Sequence, residues 1–563
     1  MEPLIYEPLQ NSEIRLLSLK SFSLAQSEIC CELIHAKLRN HPIYIALSYV
    51  WGNQKSVKPI CVNGRGLEVT QNLYNALRSI KLSLTSIRES LKVPSSELLL
   101  WIDAICIDQR SKREKSEQVP RMGNIYSSSY TTLVWLGEVD DQSDQDRLQS
   151  FMCTWSSIIG DGLPSIDSPA SRRVITELDK TERERFFDVY VSFVTNEWFG
   201  RIWIMQEYVL SPKQPYAIAG KYLLPLCFFL DILKVYNKED PTASAQWGNV
   251  AHRLIQLHEA RRQFGRIREM SLADQLLILL NVVAGGDCSK PHDYVYGILG
   301  ATELTNLPRH LLPNYDIAFA QVFKDYSRYI IEQTGDLSIL ACYENHLEDV
   351  PRWVPDLRYG IIRRKSSKAG SVKFSADGSK LWANGVRVRK VLLHPAKCNP
   401  HTSHIRDFAQ NFLTIAAQIR QKRLEDVFVE WVETVARHRS SPIKFAEHWN
   451  SVESCIEDFE DLKIDPDSQV SAVLHALKSE MSGNHQCLLE NGDVTFCTLP
   501  RGFPKGESSV WVMSGSRNLL ILTQTQDGYL YQGNVRYISG KLSHLCLEEA
   551  IILGDDVQEI TLI

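Results

Sequence analysis

The spacing of apolar and polar positions changes period several times along the chain, and each change marks an element. Residues 43–49, "IYIALSY", alternate and are rich in β-forming side chains, which predicts a strand ending near Trp51-Gly52. In "PICVNGRGLEVT" (59–70) two short β-rich runs flank Asn63-Gly64, a hairpin signal. Thr70 then stands where a helix cap belongs, followed by Leu73, Leu77 and Ile80 on one helical face. "ELLLWID" (97–103) is apolar almost without interruption, as a parallel strand covered on both faces would be. Residues 114–128 read as a helix with Val119, Met122 and Tyr126 inward, and Pro120 fits if that helix begins near Glu117. "YTTLVWLG" (130–137) is a further strand. This succession predicts an α/β domain, doubly wound around a mainly parallel sheet.

An acidic, Ser-rich break covers 138–148, and a helical pattern at 182–195 leads into "EWFGRIWIMQEYVL" (197–210). Beyond it the period is mostly helical, clearest in "SLADQLLILLNVV" and "AFAQVFKDYSRYIIEQTG". "RRKSSKAGS" (363–371) reads as a loop or boundary, and residues 404–480 are again helical and charged. From about 488, turn signals at Asn491-Gly492 and Asp527-Gly528 separate β-rich runs, which predicts a small antiparallel sheet or barrel. The expected organisation is an extension (1–40), the α/β domain (41–210), a helical region (211–360), a mixed and helical region (361–487) and a β-rich unit (488–563).

Composition narrows the function classes. A net charge of −5, from 62 basic and 67 acidic residues among 563, gives no field to gather nucleic acid. The apolar stretches at 223–230 and 275–286 fall short of a membrane span, and "MEPLIYEPLQ" has no basic-then-apolar run of a secretory leader. Thirteen cysteines without CxxC spacing point to reduced thiols in the cytoplasm and to no metal site.

Chemistry is expected where carboxylates meet the α/β domain. Asp103 falls at the carboxyl end of a strand, where open α/β sheets bind ligands. The plainer reading has Asp103 and Asp108 accepting backbone N–H groups to organise the loop, with Gln109 bridging or exposed. In "RIWIMQE", Trp203 and Glu207 stand four apart and would share a helical face. An aromatic plate beside a carboxylate suits stacking of a flat ring and stabilisation of an oxocarbenium-like transition state. Against this stands a core tryptophan beside a glutamate paired with Arg201. No Gly-rich phosphate cradle occurs in this domain, which argues against dehydrogenase or nucleotide triphosphatase chemistry.

Four blocks together resemble the HET domain of filamentous fungi: "YIALSYVWG" (44–52), "LLLWIDAICIDQ" (98–109), "EKSEQVPRMGNIYSSSYTTLVWLG" (114–137) and "EWFGRIWIMQE" (197–207). "CSKPHDYVYGILGA" (288–301) and "RWVPDL" (352–357) are similar to motifs found downstream of that domain, although Pro291-His292-Asp293-Tyr294 stands where Pro-Arg-Asp-Lys is usual. The resemblance implies heterokaryon incompatibility, in which fusion of unlike hyphae triggers programmed cell death. HET domains in turn look distantly like TIR domains, through Ser48-Tyr49, Ile102-Asp103 and a tryptophan shortly before a glutamate. That likeness implies Glu207 as the catalytic residue of an NAD glycohydrolase. Trp203 or Trp51 would stack on a ring, Arg201 would meet a phosphate, and Asp103, Ser48 and Tyr49 would shape the crevice. NAD would be substrate, with no bound cofactor. The alternatives are a non-enzymatic module acting through self-association or a protein partner, and a regulatory protein with no death role.

Overall fold

The computed structural model describes residues 1–10, 12–19, 29–95, 97–138, 195–220, 222–226, 244–302, 307–340, 347–360, 370–393, 413–438, 444–461, 485–491, 493–498, 507–514, 516, 519–538 and 557–563. The helix expected at 182–195 lies outside them, as do most of the breaks expected at 138–148 and 363–371. The chain divides into two compact units, Met1–Pro313 and Asn314–Ile563.

The first unit is built on a sheet of nine strands: β1 (Glu13–Ser18), β2 (Cys30–Lys37), β3 (Ile45–Tyr49), β4 (Val57–Val62), β5 (Arg65–Thr70), β6 (Leu99–Trp101), β7 (Thr131–Trp135), β8 (Tyr216–Ala219) and β9 (Tyr222–Pro225). Their spatial order is β5-β4-β2-β1-β6-β3-β7-β8-β9. The expectation of a mainly parallel sheet is corrected: β6-β3-β7-β8 is a continuous parallel core, but β1 pairs antiparallel with both β2 and β6, and β4–β5 and β8–β9 are antiparallel hairpins. Two of the added strands lie within residues 13–37, ahead of the expected domain start. The β8–β9 hairpin lies within a stretch expected to be helical, turning at Gly220 with φ +54°.

The core of this sheet explains its sequence. All five residues of β3 and all five of β7 are buried. Ile45, Leu47 and Tyr49 join Leu73, Ala76, Leu77 and Ile80 of the helix Gln71–Leu82 in one apolar cluster. On the opposite face, Tyr44 Oη donates to the Ile125 carbonyl, and Trp101 meets Tyr126 edge-on at 5.5 Å, both partners belonging to the helix Met122–Ser128. A strand covered on both sides has no solvent face, so its apolar run is continuous. Several local expectations hold: Asn63 (φ +50°) and Gly64 (φ +75°) make the β4–β5 turn. Thr70 Oγ1 accepts the Leu73 N–H at 3.3 Å. The helix expected from Glu117 instead starts at Lys112, capped by Ser111, and is broken at Pro120 by a 3₁₀ turn, Val119–Arg121, before Met122–Ser128. Val119 is half-buried there, and Gln118 takes the buried position.

The second unit contains the helices Phe319–Thr334, Thr414–Arg420, Leu424–His438 and Val452–Asp461. Its strands are β10 (Val372–Phe374), β11 (Leu381–Leu393), β12 (His485–Leu489), β13 (Val494–Thr498), β14 (Ser508–Met513), β15 (Leu519–Gln524), β16 (Tyr529–Ile538) and β17 (Gln558–Leu562). β11 pairs with β12 on one side and β14 on the other, so the path β11-β12-β13-β16-β15-β14 closes on itself. The expected C-terminal β unit is thus a small barrel. Its longest strand, β11, comes from a region read as mixed and helical.

Arg15 on β1 is almost fully buried, at 1% exposure. Its guanidinium donates to Glu114 at 2.6 and 3.1 Å, to the Cys106 carbonyl at 3.0 Å and to the Glu7 carbonyl at 2.6 Å. It thereby ties the N-terminal segment, β1 and the helix Lys112–Gln118 together. Glu114→Gln leaves this cation buried without its counter-charge. We expect a loss of about 3 kcal/mol in urea unfolding; a loss below about 1 kcal/mol would show that the pair does not hold these elements.

Candidate functional site

Because β3 is covered on both faces, the hydroxyl of Ser48 has no route to water. A buried hydroxyl without partners is costly, and Ser48 has two. Trp198 Nε1 donates to its Oγ at 2.6 Å, and Oγ donates to Oε2 of Glu207. Trp198 sits on a short helix, Glu197–Gly200, capped by the Asn196 side chain. That helix ends at Arg201, whose backbone is extended and forms a parallel bridge with Asp287. The chain then turns through a π-helical segment, Met205–Val209, every residue of which is buried.

Glu207 is 2% exposed. Both its oxygens face Arg201, with Nη1 to Oε2 at 3.3 Å and Nη2 to Oε1 at 3.1 Å, a bidentate ion pair. Asp103 completes the group. Trp51 Nε1 donates to its Oδ2 at 2.9 Å, the Ala104 N–H donates to Oδ1 at 2.7 Å, and burial together with the Asp103 charge raises the pKa of the neighbouring Tyr49. Desolvation raises the Asp103 pKa above its ordinary value; the indole, Arg201 and the Ala104 amide oppose that shift, and the Glu207 charge adds to it. Burial lowers the Arg201 pKa, but Glu207 and then Asp103 more than offset this and hold it above normal. One guanidinium therefore serves two carboxylates.

Of the residues expected from sequence, Glu207, Arg201, Asp103, Ser48, Tyr49 and Trp51 converge on this network. Trp203 does not belong to it: it is half-buried, and its backbone carbonyl accepts the Gln206 and Glu207 N–H groups at 3.0 and 3.2 Å. The indole that reaches the carboxylate is Trp198, through Ser48. The Glu207 N–H does reach the Trp203 carbonyl four residues back, but the segment changes from extended at Arg201 to π-helical at Met205, and the indole that meets the network comes from Trp198, ahead of that change. Asp108 and Gln109 follow the plainer reading. Asp108 Oδ1 accepts the Arg110 N–H at 3.0 Å, and Gln109 Nε2 donates to the Asp103 carbonyl at 2.9 Å.

A hollow of about 610 Å³ opens beside the network, lined by the rings of Tyr6, Tyr49 and Trp51 and by Thr70, Leu73 and Gln109 among others. Glu207 does not line it. Tyr49 and Trp51 belong to both the hollow and the network, whereas Asp103 is not among the lining residues. Aromatic rings do line a hollow near the strand ends, but the glutamate is not among its lining residues. Among the described residues no three of His, Cys, Asp or Glu gather as a metal site requires.

Linkage fixes the sign of a pH effect. Folded Asp103 binds its proton more tightly than the unfolded chain does. The stability it contributes is complete below its ordinary value of 3.8 and is lost as pH rises through the raised folded value. Asp103→Asn carries no such proton. It is expected to flatten this part of the stability curve, followed by urea unfolding between about pH 4 and 7. Equal slopes in variant and parent would remove Asp103 from the coupled group.

Comparison with known proteins shows what this segment is similar to. Residues 44–207 match the model for heterokaryon incompatibility protein (HET), a range that holds Ser48, Tyr49, Trp51, Asp103, Trp198, Arg201 and Glu207. The chain is similar to heterokaryon incompatibility protein 6, OR allele, of Neurospora crassa, with 28% identity over 401 residues. That match covers 62% of this chain and 58% of the relative, so the chain spans well under two thirds of the relative's length. No solved structure matches. The residues of the convergent network all lie within the range, 44–207, over which the chain is similar to the HET family model.

Proposed function

We propose that this chain acts in heterokaryon incompatibility, recognising non-self and promoting programmed cell death, with the α/β unit as its effector. The observation that carries this reading is that the family blocks, far apart in sequence, meet in one buried charge network at the tips of the parallel strands. The family match and the name of the Neurospora relative support the biological assignment.

For the chemistry we propose a TIR-like hydrolysis of NAD. Nicotinamide leaves with the electrons of the N-glycosidic bond, the ribosyl centre becomes oxocarbenium-like, and water adds to give ADP-ribose. Glu207 stabilises that cation, while Ser48 and Trp198 fix the orientation of its carboxylate. The substrate ring rests in the hollow against Trp51 and Tyr49. Arg201 is the group that must move, because in this structure it covers Glu207. A pyrophosphate competes for the guanidinium with the same bidentate geometry, and its binding uncovers the carboxylate.

The second reading, a non-enzymatic module that associates with itself or with a protein partner, draws on one specific observation. Both oxygens of Glu207 are engaged, and neither reaches the hollow. The two readings separate on expressing the full chain in fungal cells while following growth and NAD together. The parent is expected to arrest growth with loss of NAD. Glu207→Gln is expected to slow NAD loss by about 100- to 1000-fold, the usual effect of removing a charge-stabilising group. Arrest that persists in Glu207→Gln, with NAD undiminished in both proteins, would overturn the enzymatic reading in favour of association.

A further inference from the structure

The segment bearing Arg201 and Glu207 is gripped by residues that lie beyond the matched family range. After the helix Leu272–Val283 the chain turns through Gly285 and Gly286, and Asp287 then pairs with the start of the site segment. The Asp287 N–H donates to the Gly200 carbonyl at 2.6 Å, and the Ile202 N–H donates to the Asp287 carbonyl at 3.1 Å. Arg201 sits between these two bonds, so its backbone is held on both sides by one residue.

A second grip follows from the helix Asp293–Leu299 and the glycine after it. Gln206, 2% exposed and next to Glu207, donates from Nε2 to the Gly297 carbonyl at 2.7 Å. A methyl group on Gly300 would stand 2.5 Å from Oε1 of Gln206, and one on Gly297 would stand 2.9 Å from Cγ2 of Ile202. Gly123, on the helix that covers the face of β3 carrying Ser48, lies so close that its own methyl would fall 2.2 Å from the Gly300 carbonyl. At Gly123 the neighbour is the Gly300 backbone, which cannot turn aside; at Gly297 and Gly300 it is the end of a side chain, which an added methyl group would push from its place.

We infer that Asp287, Gly297 and Gly300 are positioning residues for the Arg201–Glu207 pair, so that the effector extends through about residue 301 and the HET match alone is an incomplete unit. Backbone pairing at Asp287 fixes where the guanidinium starts, and the glycine contacts fix where the glutamate sits relative to Ser48. A shift of a few tenths of an ångström at Gly300 is passed on through Gln206 to its neighbour, because close-packed atoms transmit strain rather than absorb it.

The test uses the full chain and amide hydrogen exchange, which reads local opening without any assay of function. Gly300→Ala is expected to speed exchange at least tenfold across residues 198–210 and to leave the strands 45–49 and 131–135 protected. Gly265→Ala, at an exposed helical glycine with nothing within 4 Å, is the control and should change neither. Combining Gly300→Ala with Gln206→Ala removes the atoms in conflict and is expected to reduce the effect of the glycine change relative to Gln206→Ala alone. If Gly300→Ala does not fold, Gly297→Ala, which meets only the end of one side chain, takes its place with the same expected pattern. Unchanged exchange at 198–210, or equal loosening of the whole unit, would overturn the inference. The consequence for NAD loss in cells, a fall in Gly300→Ala restored in part by the second change, rests on the reading above. If no variant or parent consumes NAD, that reading fails while the exchange result still decides the positioning role.

Discussion

A strand sealed on both faces admits a polar side chain only if each of its polar atoms finds a partner inside the protein. Ser48 sets that demand at the centre of the α/β unit. Its hydroxyl accepts from Trp198 and donates to Glu207, which commits a carboxylate to the interior. A buried carboxylate in turn requires a cation, and Arg201 supplies it with two parallel hydrogen bonds. The guanidinium then requires a fixed backbone, which the Asp287 seam provides. Each requirement follows from the one before it; residues of the matched range meet all but the last, which Asp287 meets from outside it.

The charge balance of this group is unusual. Asp103 and Glu207 compete for one guanidinium, and the pKa of Asp103 stands above the ordinary carboxylate range as a result of its desolvated position. Such an arrangement is a poor investment in stability compared with apolar packing, since the desolvation of ions opposes their attraction. Its worth lies in geometry: two carboxylates and a cation held by four elements within one layer of side chains. A ligand that offers Arg201 another anion changes the whole group at once, whereas one that touches only the hollow acts through the rings of Tyr49 and Trp51.

Much of the fold was legible in the pattern of apolar positions. The near-continuous run in "ELLLWID" announces a strand covered on both faces, whereas the alternation read in "IYIALSY" does not reveal that all of β3 is buried. Asn63-Gly64 and Thr70 announce a turn and a cap through local chemistry that does not depend on distant residues. The antiparallel partner of β6 and β2 is not legible, because β1, "EIRLLS", mixes charged and apolar residues although all six are buried. The β8–β9 hairpin had a signal, Gly220 between two alternating runs, that the helical texture around it obscured. At the site, Asp103 is legible as the end of an apolar strand and Arg201 and Glu207 from the spacing in "RIWIMQE", while Ser48, Tyr49 and Trp51 stand out through the motif resemblance. Trp198 was missed because an i, i+4 rule was applied to a segment that is not one regular helix. The role of Ser48 between indole and carboxylate could have been read from a lone hydroxyl in a strand that is apolar throughout.

The barrel of the second unit has a consequence for how the protein is made. β11 is flanked in the finished barrel by β12 and β14, and both are encoded roughly a hundred residues further on. A ribosome adding about 5–20 residues per second leaves that long strand without either neighbour for several seconds after it emerges. During this interval both of its edges offer unpaired N–H and C=O groups to any other nascent chain. The barrel can close only once β14 has been made, so until then the open edges of β11 must be kept from other chains by its own neighbours or by chaperones.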